Sequence, residues 1–397
     1  MAIRQPDLTG PGFKADPYPF YARLRAEAPA YRIRWIFGLR VWIVSRYDDV
    51  VTVLKDDRLS KVYISSLPFT PRPIERLTRN LVNMDPPGHT RLRALVNKAF
   101  TPKVVEALRP RIESLCEELL DEAGPGPFDL VSAFALPVPL TVIGDLLGIP
   151  EGERRQFARW SKRVAQGDSG RILGALQAWV SMLRFGGYFR KLVARRREDP
   201  KEDLVTALIE AEEEGDRLSE DELISMLGLL LFAGYETTVN LIAVGALTLM
   251  RDREQLEVFR NDPSVLVSGV EELLRFTSPA DFATPRKARE EIVFDDAVPI
   301  PPGALVLAAL GSANRDERQF PDADRLDLRR NPNRHVAFGM GSHFCVGAPL
   351  ARLEAQIALR ALFRRHPALR RAVPATALRW RRGMIFRGLE ELVVATG

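Results

Sequence analysis

Of the two cysteines in this 397-residue chain, one sits where a thiolate could be put to use. It is Cys345, in the stretch Phe338-Gly339-Met340-Gly341-Ser342-His343-Phe344-Cys345-Val346-Gly347-Ala348-Pro349. Glycines at 339, 341 and 347 let the backbone turn tightly and let another group approach it closely. Pro349 belongs early in a helix, so Cys345 stands just ahead of a helix N-terminus. Backbone N–H groups and the positive helix end there are expected to lower the thiol pKa and hold a thiolate. One cysteine in such a nest serves either as a nucleophile or as the single protein ligand of a metal. The other, Cys116 in RIESLCEELL, occupies an apolar helix position and reads as core packing.

The run F-G-x-G-x-H-x-C-x-G-x-x-L-A-R, Phe338 through Arg352, resembles the haem-binding signature of the cytochrome P-450 family. The resemblance extends over essentially the whole chain and is to the soluble bacterial class. It implies a mainly α fold with a small β portion, a helix-rich triangular prism holding haem b between a long central helix and the cysteine-bearing helix. Cys345 is then the axial ligand of the haem iron, with Phe338 and Gly339 part of the haem seat. An anionic sulfur pushes electron density onto iron and favours O–O cleavage, the chemical reason for cysteine rather than histidine.

Other segments match in the expected order. Ala233-Gly234-Tyr235-Glu236-Thr237-Thr238 is similar to the family's oxygen-activation motif. Small residues at 233 and 234 open a groove, and Thr237 can hydrogen-bond back to the carbonyl near Ala233, bending the helix locally. The Thr237 hydroxyl would orient protons toward dioxygen, with Glu236 as the acid supplying them through water. Tyr235 occupies a variable position and is expected to face substrate or water. Glu272 and Arg275 share a helix face at i,i+3. By resemblance they form a structural triad with an arginine downstream, Arg330 matching best and Arg329 being the alternative. For the two haem propionates the resemblance points to His89 and Arg93, to Arg286, and to His343. His335 lies just upstream of the cysteine loop, and His366, beside Pro367, reads as a surface residue.

These groups need a scaffold. Residues 31–45 read as two short strands around a turn at Phe37-Gly38, followed by a helix near 47–55. From about 88 to 275 the pattern is mostly helical, broken at Gly124-Pro125-Gly126-Pro127, Gly148-Ile149-Pro150 and Asp199-Pro200. Residues 223–250 are apolar enough for a membrane span, yet Glu236 sits mid-run, and Ser219 with Glu222 forms a capping-box signature. A core helix of roughly 30 residues, about 45 Å long, is the better reading. Short strands and turns follow over 282–310, a Pro- and Arg-rich coil over 315–335, and a helix over about 346–365. The last thirty residues or so are strand and turn, so the β portion is expected to draw on both ends of the chain. No linker-like segment appears, and residues 1–397 read as one domain.

Composition narrows the function. Hydrophobic residues make up 46% and charged residues 27%, an ordinary globular balance that excludes disorder and fibrous repeats. Two cysteines cannot build a disulfide framework, and the N-terminus has no apolar leader, so a reducing cytoplasm is expected. The net charge of +5 comes with short arginine clusters, among them Arg364-Arg365 and Arg381-Arg382, that read as solvated faces. No nucleic-acid motif is present and no membrane association is expected. The implied function is a haem-thiolate monooxygenase acting on an apolar small molecule with O2. Its electrons would come from a separate ferredoxin- or flavodoxin-type partner, docked on a basic patch including Lys98. A peroxide-dependent peroxygenase or a haem-based sensor are the alternatives; the Glu236–Thr237 pair argues against both. The substrate pocket is expected from residues 60–85 and 160–190, from Leu229, Ala233 and Thr237, and from Phe282-Ala283-Thr284 and Ile385-Phe386.

Overall fold

The apolar run folds as one uninterrupted helix, Glu220–Arg251, of 32 residues. Its start is fixed by a reciprocal cap: Ser219 Oγ accepts from the Glu222 N–H at 3.3 Å, and Glu222 Oε2 accepts from the Ser219 N–H at 2.9 Å. Glu220, Asp221 and Glu222 in the first turn face the positive helix end. Length and composition would let this helix cross a membrane, but 67% of its most apolar window is buried inside the protein. It packs against the helices Pro137–Leu146, Ile172–Glu198, Val265–Thr277 and Ala348–Arg365. An apolar surface covered on several sides by other helices is that of a core helix.

The computed structural model describes residues 3–35, 38–63, 71–165, 172–210, 212–213, 216–295 and 297–396. Phe37 of the expected turn, and the pocket stretches 64–70 and 166–171, lie outside the described residues.

A five-stranded sheet supports one edge of the helical core. Its strands are β1 (Ala30–Arg34), β2 (Arg40–Val44), β3 (Leu59–Ser60), β4 (Arg286–Ala288) and β5 (Leu305–Ala308), in the order β1-β2-β5-β4-β3. The β2–β5 pair is parallel, Val41 facing Leu305, and the other pairs are antiparallel. Both strands of the parallel pair are apolar and almost wholly buried. The C-terminal strands do not join this sheet. Val393–Ala395 pairs instead with Phe128–Asp129 and Arg370–Arg371, so the two ends of the chain build separate sheets. The cysteine helix, Ala348–Arg365, has Pro349 in its first turn as expected. His366 caps its far end and is buried against Phe128, ring centroids 5.9 Å apart, not on the surface.

Candidate active site

Two left-handed glycines shape the cysteine loop: Gly339 at φ +69° and Gly341 at φ +77°. At Gly341 a Cβ would also stand 3.2 Å from the Leu54 carbonyl, so both conformation and space call for glycine. The loop closes on itself through Gly339 N–H to the Val336 carbonyl (2.8 Å) and Cys345 N–H to the Phe338 carbonyl (3.0 Å). The accessible area of Cys345 faces an internal cavity of about 560 Å³. The expectation of a lowered thiol pKa fails. Burial pushes the Cys345 thiol up, and the N–H groups of Gly347 and Ala348, with Arg93 and Arg352, only partly offset it. A metal cation at the sulfur would supply what this environment lacks, because a coordinating thiol is deprotonated by the ion itself.

The cavity runs from Cys345, Phe338 and Gly339 to the central helix at Ala233, Gly234 and Thr237. Thr237 Oγ1 donates to the Ala233 carbonyl at 3.3 Å, the back-bond expected from sequence, while the helix continues unbroken. Glu236 is buried, and Arg381 Nη1 donates to its Oε1. Arg381 was expected on a solvated face; it instead neutralises the one acid of the motif from 145 positions away. Tyr235 is buried in the core and does not line the cavity, contrary to the expected contact with substrate or water. The other expected pocket residues, Leu229, Phe282, Ala283, Thr284, Ile385 and Phe386, all line it.

One wall of the cavity is rich in donors and cations. His89, Arg93, Arg286 and His343 all line it. The His89 and His343 rings lie 4.1 Å apart. His89 is buried with neither ring nitrogen hydrogen-bonded, and Arg286 Nε is likewise without an acceptor. Arg93 Nη1 reaches the Phe344 carbonyl at 2.7 Å, and Arg286 Nη2 the Leu54 carbonyl at 3.0 Å. Burial, followed by the charges of Lys61, His89 and Arg286, pushes the His343 pKa down to about 3. Buried donors without acceptors are costly, and here they face an apolar slot ending in a thiol. A flat apolar group bearing two carboxylates and a thiophilic metal fits this donor set, and haem b is such a group.

Behind the cysteine loop lies a fully buried acid. Glu272 accepts from Arg275 Nε (2.7 Å) and Nη2 (2.8 Å), from Arg330 Nε (3.2 Å), from Asn333 Nδ2 (3.1 Å) and from the Asp327 N–H (3.0 Å). Of the two candidate arginines it is therefore Arg330 that reaches Glu272; Arg329 pairs with Asp262 at 2.7 Å. Arg275 Nη1 also reaches the carbonyls of Asn314 and Ala323, both at 2.8 Å, tying the coil to the helix.

Sequence reasoning missed Glu271, which binds Arg352 of the cysteine helix twice at 2.7 Å and His335 at 3.0 Å. Burial raises its pKa, but Arg352 and His335 overcome this and hold it at about 2. The adjacent Glu-Glu pair before Leu273 was the available signal. Also missed was Glu354 on the cysteine helix. It is fully buried beside Thr238, with neither carboxyl oxygen hydrogen-bonded, and burial pushes its pKa well up. Its apolar neighbours in LARLEAQIAL, which place it on an inward face, were the signal.

The chain has close relatives. The cytochrome P450 family model matches residues 185–368. Cytochrome P450 107B1 of Saccharopolyspora erythraea is 46% identical over 405 residues, covering 99% of this chain and 98% of its own. The 6-deoxyerythronolide B hydroxylase of the same organism is 42% identical and covers 98% of each chain. Among solved structures, the myxobacterial cytochrome P450 CYP267B1 in complex with myristic acid has a TM-score of 0.93 at 39% identity, covering 99% of this chain and 100% of that one. Identity at this level, over nearly the entire length and on a site that fits haem, leaves one assignment: the chain is a cytochrome P450, a monooxygenase that works with haem b.

Proposed function

We propose that this cytochrome P450 hydroxylates or epoxidises a mid-sized apolar molecule of the polyketide or fatty-acyl kind. Electrons would come from a separate ferredoxin- or flavodoxin-type protein. The observation that carries the substrate class is the far side of the cavity, lined by Met182, Phe185, Leu229, Phe232, Ile385 and Phe386. Such a surface rewards burial of hydrocarbon at about 25 cal/mol per Å² and penalises unpaired charge. Relatives named for 6-deoxyerythronolide B and bound to myristic acid point the same way.

Bound haem b supplies the redox chemistry that activates oxygen. Cys345 would hold it through its sulfur, and Phe338 and Gly339 line the same part of the cavity. His89, Arg93, Arg286 and His343 provide donors and positive charge for the propionates. Ala233 and Gly234 keep the central helix clear of side-chain bulk over the reacting space. Thr237, tied to Ala233, turns its hydroxyl oxygen toward that space and positions a proton there. Glu236 is the proton source. Arg381 anchors its Oε1 and leaves Oε2 for a relay through water to Thr237.

Glu271, Glu272, Arg275 and Arg330 act through the loop they hold and do not touch substrate. Among basic residues near the cysteine helix, Arg352 and Arg364 are engaged with Glu271 and Glu117. The proposed docking patch for the electron donor is the basic surface that includes Lys98 and the arginines near the cysteine helix. Two unpaired cysteines and the covered central helix support a protein of the reducing cytoplasm.

The test is a binding screen. Fatty acids and macrolactones of graded size are titrated into the purified holoenzyme while the haem spin state is followed. The best binder is then turned over with a surrogate ferredoxin system. Micromolar binding of such compounds and a product heavier by one oxygen atom support the proposal. A preference for small polar or charged compounds contradicts it.

A further inference from the structure

Lys61 has no place in the site as described so far, yet it lies inside it. It follows directly on β3, whose Ser60 pairs with Lys287 of β4, so the ladder sets Lys61 beside the segment Thr284-Pro285-Arg286. The side chain is buried and lines the cavity together with His89, Arg93, Arg286 and His343. Its ammonium donates only to neutral acceptors: the Thr284 carbonyl at 3.1 Å, the Thr284 hydroxyl and the Pro285 carbonyl at 3.4 Å.

The nearest acid does not neutralise it. Asp85 takes the Lys61 backbone N–H at 2.8 Å and spends its other oxygen on Ser60 (2.5 Å) and Arg289 (2.7 Å). Asp85 thus fixes where Lys61 points without pairing its charge. Among the described residues no carboxylate pairs with Lys61, Arg93 or Arg286. Burial, then the Arg286 charge, pushes the Lys61 ammonium well down from its ordinary range. Three basic side chains without a counterion on one wall of the cavity, two of them buried, are unstable as they stand. Any carboxylate brought there is strongly favoured.

We propose that Lys61 is a further ligand of a haem propionate, alongside His89, Arg93, Arg286 and His343. The inference rests on the reading of this cavity as the haem site. A substrate carboxylate is the other source of the same chemistry. Lys61 favours the propionate because it clusters with the donors assigned to that group, whereas the far wall is apolar.

The experiment measures haem release to an excess of an apo-globin acceptor, in substrate-free wild type, Lys61→Met and Lys61→Arg. Each protein is loaded either with haem b or with haem dimethyl ester, which lacks the carboxylate charges. Lys61→Met is expected to release haem b about tenfold faster, as for loss of one charge-assisted hydrogen bond. Lys61→Arg keeps the charge and stays within about threefold of wild type. With the dimethyl ester, wild type and Lys61→Met release at the same rate. Melting of the apo forms checks folding, and apo Lys61→Met is expected to melt no lower than wild type.

Unchanged haem b release in Lys61→Met overturns the proposal. So does an equal acceleration with the ester, which marks a packing defect. Weakened fatty-acid binding with normal haem release also overturns it, assigning Lys61 to substrate. Failure of the underlying reading looks different: wild type itself would then not retain haem b.

Discussion

The cavity has two unlike walls. On the cysteine side, the acids behind the loop are tightly paired: Glu272 collects five hydrogen bonds and Glu271 ties His335 to Arg352. On the far side, Leu77, Met182, Phe185, Leu229, Phe232, Ile385 and Phe386 meet as an apolar surface with little directional bonding. The difference separates two jobs. A metal ligand must be held within a few tenths of an ångström, which takes a saturated polar network. An apolar substrate wall works by area and shape, so many side chains can serve there.

Breaking the polar network should therefore have the largest effect. Glu272→Ala leaves Arg275 buried without its acid and should cost about 3–5 kcal/mol. Thermal melting and haem content of the purified protein check this; a variant that melts like wild type and keeps its haem would erase the contrast between the walls.

On the central helix the expected loss is chemical rather than structural. Thr237→Ala and Glu236→Gln should each lower product formation about 100-fold while the protein keeps its fold and haem. The readout is product formed per electron donor consumed, set beside melting temperature. A smaller effect from Glu236→Gln than from Arg381→Met would mean that the ion pair, and not the acid, matters.

Two glutamates, Glu354 on the cysteine helix and Glu271 against it, should respond to pH with opposite sign. Glu271 is held at about 2, below its ordinary 4.5, so its contribution is present above about pH 4.5 and is lost as pH falls toward 2. Glu271→Gln should flatten that acid limb of the stability curve. Glu354 is raised, so its burial adds no charge penalty while it is protonated, and that penalty grows as pH climbs above 4.5. Glu354→Gln should match wild type near pH 4 and melt higher by about 2 °C near pH 8. Calorimetry across pH checks both; the same slope for the two variants would contradict the assignment of one paired and one unpaired acid.

The smallest changes belong to the far wall. Ile385→Val and Leu229→Met should shift substrate affinity by about 1 kcal/mol or less and leave stability and haem retention untouched. A loss of haem in either would show that the walls are mechanically one.

The same contrast explains what could be read from the chain. The cysteine loop is written in consecutive residues, Phe338 to Arg352, and its glycines, proline and cysteine each state a local backbone demand. Thr237 and Ala233 are four apart on one helix, so their bond follows from helix geometry. By contrast, Arg381 on Glu236, Arg330 on Glu272 and Lys61 beside Thr284 are tertiary meetings across 145, 58 and 223 positions. Nothing in the local pattern at Arg381-Arg382 distinguishes a half-buried anchor from a solvated pair. The thiol pKa was misjudged for a related reason. Local N–H groups are legible in sequence, whereas the burial that outweighs them is a property of the whole fold.

The central proposal is that Cys345, at the head of this network, supplies the thiolate that holds the haem iron. Its most direct test is the absorption spectrum of the reduced, carbon-monoxide-bound protein, recorded for wild type and for Cys345→Ser. A strongly red-shifted Soret band in wild type, absent in a variant that still folds, is the expected result. A band of histidine or neutral-thiol type in well-folded wild type would contradict it.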